Sequence, residues 1–236
     1  MEKNRYLLSR THCIIRLGVL MFLVTFGIGL CERQSTCLAV DNPPVSSLDR
    51  ILLNIKDREQ RLKTFTASFK QTQKNALLKD PLISEGMMFY DHSGKILMKI
   101  TRPEAFVLLI NDRSIILGDP VSKTFKQRTL PGRNTFMKRY LGSGQSLEAL
   151  KDTYDIRISR ACTDTDCQIE LIPKKRSRNM PFQSIRLTVG TRMWLPQVIF
   201  LEEPNGDTTM IEITYHTIND PLPADTFRIG MLKEGR

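Results

Sequence analysis

The sequence predicts a mainly β protein with some α structure, in which a curved antiparallel sheet forms an incomplete, half-open β-barrel of about eleven strands covered by about three helices. Short runs with a two-residue apolar–polar period recur between residues 65 and 215, as in half-buried strands. Turn-forming residues separate these runs. No internal repeat occurs and no linker follows Pro44, so we expect a single domain over residues 40–236.

The strands of the first half carry large apolar side chains. In residues 65–71, Phe65 and Phe69 fall on one face and Lys70 on the other, and the turn-prone residues 91–94 separate the next two runs. The alternation alone leaves open which face of these strands points inward. The predicted strands of this half are residues 65–71, 83–90, 95–100, 106–112, 114–117 and 124–129.

Helical spacing sets three segments apart from the strands. Residues 48–62 place apolar side chains on one side of a helix that Ser46 or Ser47 caps, and this amphipathic helix needs a sheet to lie on. Two short helices are predicted at residues 133–141 and 146–150. The remaining strands are predicted at residues 154–161, 168–172, 182–189, 195–201 and 207–215, with a hairpin turn at 204–207.

Residues 1–39 have the three regions of a cleaved signal peptide. Basic side chains precede an apolar stretch at residues 17–30, and an A-x-A-like cleavage site ends at Ala39. The apolar stretch is about 14 residues long, which is shorter than the roughly 20 that span a bilayer. An uncleaved anchor and a lipid-bearing Cys31 are the alternatives, but Leu30 stands where a lipobox needs a small residue. We therefore expect the protein to be exported.

The composition is basic, with 35 Lys and Arg against 25 Asp and Glu. Removal of residues 1–39 takes away five basic and two acidic residues, which leaves 30 against 23 and a net charge of +7. A basic protein can bind nucleic acid, but dispersed cations on an exported protein are typical of a solvated surface. The dense cluster at residues 174–178 lies between two predicted strands, as a solvated loop or as a membrane or partner contact. We expect a monomer with no nucleic acid partner.

Only Cys162 and Cys167 remain once the leader is removed. They flank the polar turn 163–166 between two predicted strands, where a disulfide would close the end of a hairpin. A metal site would need about four ligands, and two cysteines with the nearby Asp164 and Asp166 supply a poor set. We therefore predict a Cys162–Cys167 disulfide and no metal.

No catalytic grouping is visible in the sequence. His92 and His216 are the only histidines outside the leader, and no serine or cysteine motif brackets either of them. Ser143 lies between two glycines but lacks the nucleophile-elbow pattern. Acidic residues such as Glu202 and Glu203 lie beside a turn, which favours a solvated role. We expect a binding protein without catalytic residues or a cofactor rather than an enzyme.

Residues 65–112 contain a series of short motifs. In order they are Phe65-x-Ala67-x-Phe69-x-Gln71, Glu85-Gly86, Phe89-Tyr90, Pro103-Glu104 and Asp112. This series resembles the periplasmic outer-membrane lipoprotein carrier family, the LolA type, whose pattern runs F-x-A-x-F-x-Q, then E-G-x-L-W/Y, a basic-Pro turn, a Pro-Glu/Asp step and an apolar strand ending near D-G. The order and spacing of the motifs, rather than any single motif, carry the resemblance. The resemblance implies that the exported protein acts in the periplasm of a Gram-negative bacterium.

The resemblance implies a half-barrel of the kind shared by LolA, LolB and RseB, with a hydrophobic cavity that shields the acyl chains of lipoproteins. A family member takes this cargo from an inner-membrane ABC release complex and passes it to an outer-membrane receptor. Soft methionine side chains suit such a ligand. The residues expected to line the cavity are Phe65, Phe69, Met87, Phe89, Leu97, Met98, Phe106, Leu108, Ile110, Ile116 and Met137.

One position departs from the family pattern. The family turn after E-G-x-L-W/Y usually reads Lys-Arg-Pro, and its Arg is important for lipid handling. Counting without gaps from Gly86 to Pro103 places His92 at that position. A register that uses Arg102-Pro103 instead would require a ten-residue insertion, so the ungapped register is preferred. The resemblance therefore leaves open a divergent carrier, a binder of another lipid, a sensor of mislocalised lipoproteins or a membrane-anchored receptor.

The leader prediction is checked by the intact mass of protein purified from a native-type host. The mature chain is expected to start near Val40 and to carry no lipid, because the apolar stretch is short and the residue before Cys31 is not small. A chain that keeps residues 1–39, or a mass increment for a diacylglyceryl group on Cys31, would contradict this expectation.

Overall fold

The structure is a computed structural model that describes residues 47–75, 79–111, 114–129, 151–174 and 182–228. Most of these residues form one sheet of eleven strands, and all neighbouring strands in it are antiparallel. In chain order the strands are β1 (Thr64–Lys74), β2 (Leu82–Asp91), β3 (Lys95–Arg102), β4 (Phe106–Asn111), β5 (Ser114–Asp119), β6 (Thr124–Thr129), β7 (Tyr154–Arg160), β8 (Asp166–Pro173), β9 (Ser184–Gly190), β10 (Leu195–Glu202) and β11 (Thr208–Ile218).

The sheet consists of two meanders that meet in its middle. The strand order is β6-β5-β4-β3-β2-β1-β11-β10-β9-β8-β7, so each strand pairs with its neighbour in sequence except where β1 pairs with β11. Within the described residues, β6 and β7 each have a partner on one side only, and the sheet is therefore open. The prediction of a mainly β fold with an open antiparallel sheet of about eleven strands is confirmed.

The described residues contain two helical segments instead of the three predicted. The helix α1 spans Ser47–Arg61, in agreement with the predicted amphipathic helix. The second segment is helical at residues 151–153. The predicted helices at residues 133–141 and 146–150 lie outside the described residues, as does the leader. No helix in the described ranges is long and apolar enough to cross a membrane.

One face of the sheet, which we call the inner face, carries the main hydrophobic core. On β1 the burial alternates, and Phe65, Ala67 and Phe69 are buried on this face. The helix α1 contributes Ile51 and Leu52 to the same core. In the order of the sheet, this core extends from β5 across β1 and β11 to β8, and side chains of the edge strand β7 pack against it. The helix therefore lies on the inner face, where its apolar side is removed from water.

The opposite, outer face carries a smaller apolar cluster on its β2–β6 half. Phe227, which follows β11, packs on this outer cluster, so the segment after the last strand reaches the outer face. Polar side chains such as Lys70 and Glu212 are exposed on the same face of β1 and β11. The outer cluster consists of Leu97, Val107, Leu109 and Ile116, with Phe89, Phe125 and Phe227 packed against it.

Asn219 connects the end of α1 to the end of β11. Its Oδ1 accepts a hydrogen bond from the Lys63 backbone N at 2.7 Å, and its Nδ2 donates to the Arg61 carbonyl at 3.0 Å. Its backbone N donates to the Thr64 carbonyl at 2.8 Å. Asn219 has a φ of 66°, a left-handed conformation that Asn tolerates well. The contact satisfies a carbonyl at the C-terminus of α1 and fixes that end of the helix beside the sheet.

Gly86 lies at a register shift between β2 and β3, next to Glu85. A Cβ atom at Gly86 would clash with the Lys99 carbonyl oxygen and would lie 2.9 Å from Ile100 Cα. Both contacts are with backbone, which cannot move aside as a flexible side chain would. The Glu-Gly pair of the sequence pattern is therefore explained by a close approach of two strands that only Gly permits.

Substitution Gly86→Ala is expected to lower the free energy of unfolding by about 3 kcal/mol, because the added methyl group displaces the β3 backbone. Urea unfolding of the purified protein measures this loss. The control is Gly206→Ala, which has a φ of 86° but no atom within 4 Å of its Cβ position and should lose about 1 kcal/mol. An equal loss for both variants would contradict the close approach at Gly86.

Candidate functional site

Two rows of apolar side chains cross the inner face from β2 to β5. Neighbouring members of each row are register partners, so they lie about 4.8 Å apart on adjacent strands. Every member is at most 7% exposed, and no charged side chain interrupts either row. The rows are Tyr90–Ile96–Ile110–Ile115 and Met88–Met98–Leu108–Leu117.

A third row crosses the inner face of the other half of the sheet. It consists of Ile169, Leu187, Ile199 and Ile211, which are register partners from β8 to β11. The next partner, on β1, is Gln71, which is 3% exposed. The apolar inner face thus spans both meanders, and a buried polar side chain stands where they join along this row.

An aromatic group occupies the junction of β1, β2 and β11. The rings of Phe65 and Tyr90 are stacked with centroids 5.2 Å apart, and the Tyr215 ring meets Phe65 edge-on at 5.4 Å. The Tyr215 hydroxyl donates to the Pro196 carbonyl at 3.0 Å, and burial raises the pKa of Tyr215. These packed rings add a rigid section to the inner face.

The inner face is much wider than the helix that lies on it. Helix α1 has 15 residues, which makes it about 22 Å long and, with side chains, about 10–12 Å wide. A sheet of eleven strands is about 48 Å wide when measured across its strands. Helix α1 therefore spans only a minor part of this width. The side chains of the three rows are nevertheless at most 7% exposed, so they are packed against more of the protein than α1.

The last turns of α1 carry polar groups that are removed from water. Burial raises the pKa of Glu59 well above its ordinary range, although the charge of Lys56 opposes this. The Arg58 Nε is buried, and no described residue accepts a hydrogen bond from it. An unsatisfied buried polar group costs about 1–3 kcal/mol, so α1 is held on the sheet less tightly than a wholly apolar helix would be.

A groove of about 460 Å³ lies on the outer face. Glu85, Lys70 and Glu212 are register partners across β2, β1 and β11, so charges of opposite sign alternate there. Glu85 also forms an ion pair with Arg102 at 3.1 Å. This mixture of ions and hydroxyl groups does not suit an acyl chain. The lining residues are Ser68, Phe69, Lys70, Glu85, Gly86, Met87, Thr101, Glu212 and Thr214.

The structure divides the eleven residues that the sequence placed in one cavity. Strand alternation places six of them on the inner face and four on the outer face, while Met137 lies outside the described residues. The inner six are Phe65, Phe69, Met98, Phe106, Leu108 and Ile110. The outer four are Met87, Phe89, Leu97 and Ile116.

Several inner-face residues were not named by the sequence analysis. Met88 and Tyr90 belong to the inner rows, and their alternation along β2 is the signal that could have found them. The alternation does not say which face of β2 is the inner one. Only the register of β2 against β1, which pairs Tyr90 with Phe65 and Met88 with Ala67, places these two residues on the inner face. Apolar runs such as that of β4, in which residues 107–110 are all buried, carry no alternation from which a face can be chosen.

His92, at the position where the family pattern has Arg, lies in the turn between β2 and β3 with its side chain 63% exposed. Its backbone N donates to the Lys63 carbonyl at 2.8 Å, so the turn contacts the segment that follows α1. Partial burial opposes ionisation of the neighbouring Asp91, but its hydrogen bonds with Ser93 and the charges of His92 and Lys95 together lower its pKa. His92 thus sits near the end of α1, and its role in the family turn stays a prediction.

Cys162 and Cys167 form the disulfide that the sequence predicts. It closes the end of the β7–β8 hairpin, where the Thr163 backbone N donates to the Asp166 carbonyl at 2.8 Å. Cys167 is fully buried, whereas the turn around Thr163 is exposed. The bond therefore ties a solvated turn to the core.

No group of three or more metal-ligating side chains occurs among the described residues. His92 lies in the turn after β2, and His216 lies at an exposed position of β11. These two strands flank β1, so β1 separates the two histidines. The geometry of the described chain offers an apolar face and a helix that covers part of it, which are features of a binding site.

The described chain is an open antiparallel sheet with an apolar inner face and a helix that lies on this face. The sequence model of the family described as outer membrane lipoprotein carrier protein LolA matches residues 60–230. Because this match covers most of the chain, the protein belongs to the LolA family. Comparison with curated protein sequences finds no significant match.

Comparison with solved structures finds similar chains at low sequence identity. An uncharacterized conserved protein from Thermus thermophilus matches with a TM-score of 0.50 and 8% identity, covering 78% of this chain and 94% of that chain. A LolA superfamily protein from Nitrosomonas europaea matches with a TM-score of 0.39 and 12% identity, over 75% and 96% of the two chains. The Pseudomonas aeruginosa MucA/MucB complex matches with a TM-score of 0.47 and 11% identity, over 78% and 61%.

Loss of the disulfide is expected to loosen the β7–β8 turn while leaving the sheet folded. The closed loop is short, so the double variant Cys162→Ala with Cys167→Ala should lose about 2 kcal/mol of unfolding free energy or less. Hydrogen exchange of the Thr163 amide should accelerate, whereas that of β1 amides should not. Two freely alkylated thiols in wild-type protein purified without reductant would contradict the bond itself.

Proposed function

We propose that this protein is a periplasmic carrier that shields the acyl chains of lipoproteins and moves them from the inner to the outer membrane. Membership of the LolA family supports the cargo class. The observation that carries the proposal is the inner face: three charge-free apolar rows cross it, and the one long described helix covers only part of its width.

The energetics of the cargo require an enclosed site rather than a surface patch. Removing one CH₂ group from water is worth about 0.8 kcal/mol, so an acyl chain of about sixteen carbons is worth on the order of 12 kcal/mol. A lipoprotein with about three such chains cannot cross the periplasm with them exposed. A wide apolar sheet that closes around the chains supplies the needed area, and its interior strands do so with their backbone groups paired.

Helix α1 is the part of the described chain best suited to act as the movable cover. Asn219 holds its C-terminal end beside the sheet, while the half-buried Glu59 and the unsatisfied, buried Nε atom of Arg58 weaken its packing. Near the other end, Asp49 forms an ion pair with Lys151, an exchangeable surface contact worth about 1 kcal/mol or less. In our proposal α1 moves away from the apolar rows as acyl chains enter and remains tethered at Asn219.

The route of the cargo follows from the same proposal. Export by the signal peptide places the protein in the periplasm, an inner-membrane ABC release complex loads it, and an outer-membrane receptor unloads it. His92 in place of the family Arg is exposed beside the segment that follows α1. We therefore propose a divergent carrier in which this turn takes a different part in opening the cover.

The test of this function is lipid dependence of binding. Purified mature protein is expected to release a bound fluorescent apolar probe when it binds an acylated peptide, and not when the same peptide lacks its lipid. The physical reason is that the inner face gains nearly all of its binding free energy from acyl burial. Equal binding of both peptides, or no response to the acyl group, would overturn the proposal.

Matched phenylalanine variants locate the site on one face. Phe106 and Phe125 are both half-buried on strands, the first packed on the inner core and the second on the outer cluster. Phe106→Glu is expected to weaken acyl-peptide binding at least tenfold, because a carboxylate in the cavity costs more than about 1.4 kcal/mol. Phe125→Glu should leave it within about twofold of wild type. Circular dichroism serves as the control, and both variants are expected to give the β-sheet spectrum of the wild type.

Transfer separates a carrier from a lipid sensor of the same fold. A carrier loaded with labelled acyl-peptide is expected to lose its label to an outer-membrane fraction that contains the receptor, and to keep it with protein-free vesicles. Retention in both cases would indicate a sensor or a storage protein instead.

A further inference from the structure

The two inner rows of the first meander end in cations at the open edge of the sheet. The register partner of Ile115 on β6 is Arg128, and the partner of Leu117 is Lys126. Both cations therefore stand on the inner side of the edge strand, about 7 Å apart along it. Strand alternation gives the outer side of β6 to Phe125 and Gln127 instead.

These two cations are available for a ligand. Lys126 and Arg128 are exposed, and neither forms an ion pair with any residue of the described ranges. Asp119 is the carboxylate on the inner side of β5 that lies nearest to these two cations in register. Its Oδ1 instead accepts a hydrogen bond from the Val121 backbone N at 2.7 Å. The edge thus carries two cations next to an apolar floor.

The dimensions match one amphiphile. From β2 to β6 there are four strand spacings, which together measure about 19 Å. This is comparable to the length of an extended long acyl chain. A chain that lies along a row with its end near Tyr90 or Met88 brings its polar head to Arg128 or Lys126.

We propose that the inner edge of β6 is a head-group site, in which Lys126 and Arg128 bind the anionic head of an amphiphile whose acyl chain lies along the inner rows. The inference rests on the proposed function, because it uses the same apolar face. It names the favoured ligand class: acyl compounds with a phosphate, sulfate or carboxylate beside the chain. A guanidinium and an ammonium group together suit such oxyanions.

Cations on an edge strand also have a protective role, since they discourage pairing with another chain. That role does not depend on which side of the strand the cations occupy, and it predicts no selectivity for the head of a bound lipid. Head-group selectivity is therefore the property that separates the two explanations.

The experiment compares three amphiphiles with one chain length, below their micelle concentrations, by displacement of a fluorescent apolar probe from the mature protein. Wild type is expected to bind dodecyl phosphate more tightly than dodecyl maltoside and dodecyltrimethylammonium. Lys126→Gln with Arg128→Gln should weaken dodecyl phosphate binding about three- to tenfold and leave dodecyl maltoside unchanged. Lys126→Glu with Arg128→Glu should reverse the order in favour of the ammonium compound.

A control variant removes the same net charge elsewhere. Lys70 lies on the outer face of β1, and Lys123 lies in the turn before β6 with a φ of 54° that Asn accepts. The pair Lys70→Gln with Lys123→Asn is expected to leave all three affinities within about twofold of wild type. If this control weakens dodecyl phosphate binding as much as the β6 pair does, general charge attraction replaces the head-group site.

The outcomes of the binding experiments distinguish a failure of the carrier function from a failure of the head-group site. If neither the acylated peptide nor any dodecyl compound binds, the carrier function fails. If the acylated peptide and dodecyl maltoside bind but wild type does not distinguish dodecyl phosphate from them, only the head-group site is overturned. Inorganic phosphate should not displace the bound dodecyl phosphate at equal concentration, and displacement by it would assign the cations to a free anion.

Discussion

The pairing of β1 with β11 is the contact on which the rest of the structure depends. The two strands join over ten register positions, from Phe65 opposite Ile218 to Lys74 opposite Thr208. They are the first and last strands of the described residues, and every other strand there pairs only with sequence neighbours. Without this long-range pairing the two meanders would be separate sheets, each with another exposed edge. With it, they present one continuous inner face.

The same pairing determines how the two faces differ. Side chains alternate between the two faces along every strand. The register that puts Phe65 opposite Tyr90 therefore fixes which side chains of each neighbouring strand lie on the inner face. The inner face becomes an apolar surface that extends over both meanders, and the outer face keeps a local cluster closed by Phe227. Helix α1 lies on the inner face, and Asn219 joins its end to β11. The last strand of the sheet and the helix on its inner face are thus joined by hydrogen bonds.

Strong local signals were predictable from the sequence. The alternation of β1, the amphipathic spacing of α1 and the turn at Gly206 each depend on residues close in sequence, and the structure confirms all three. The Cys162–Cys167 disulfide was predictable for the same reason, since a polar turn separates two strands there. The faces of β3 and β4 were less predictable, because their near-continuous apolar runs contain no period.

Sequence by itself determined the class of the fold, the number of strands and the family, because alternation, turns and spaced motifs are contained in short stretches. The tertiary structure alone decided which apolar residues share a face. Met87 and Met88 are adjacent and chemically identical, yet their strand partners place Met88 on the inner face and Met87 on the outer. It also decided that the rows end at Lys126 and Arg128. The physical reason is that a face is defined by register between strands, and register is fixed by contacts between residues far apart in the chain.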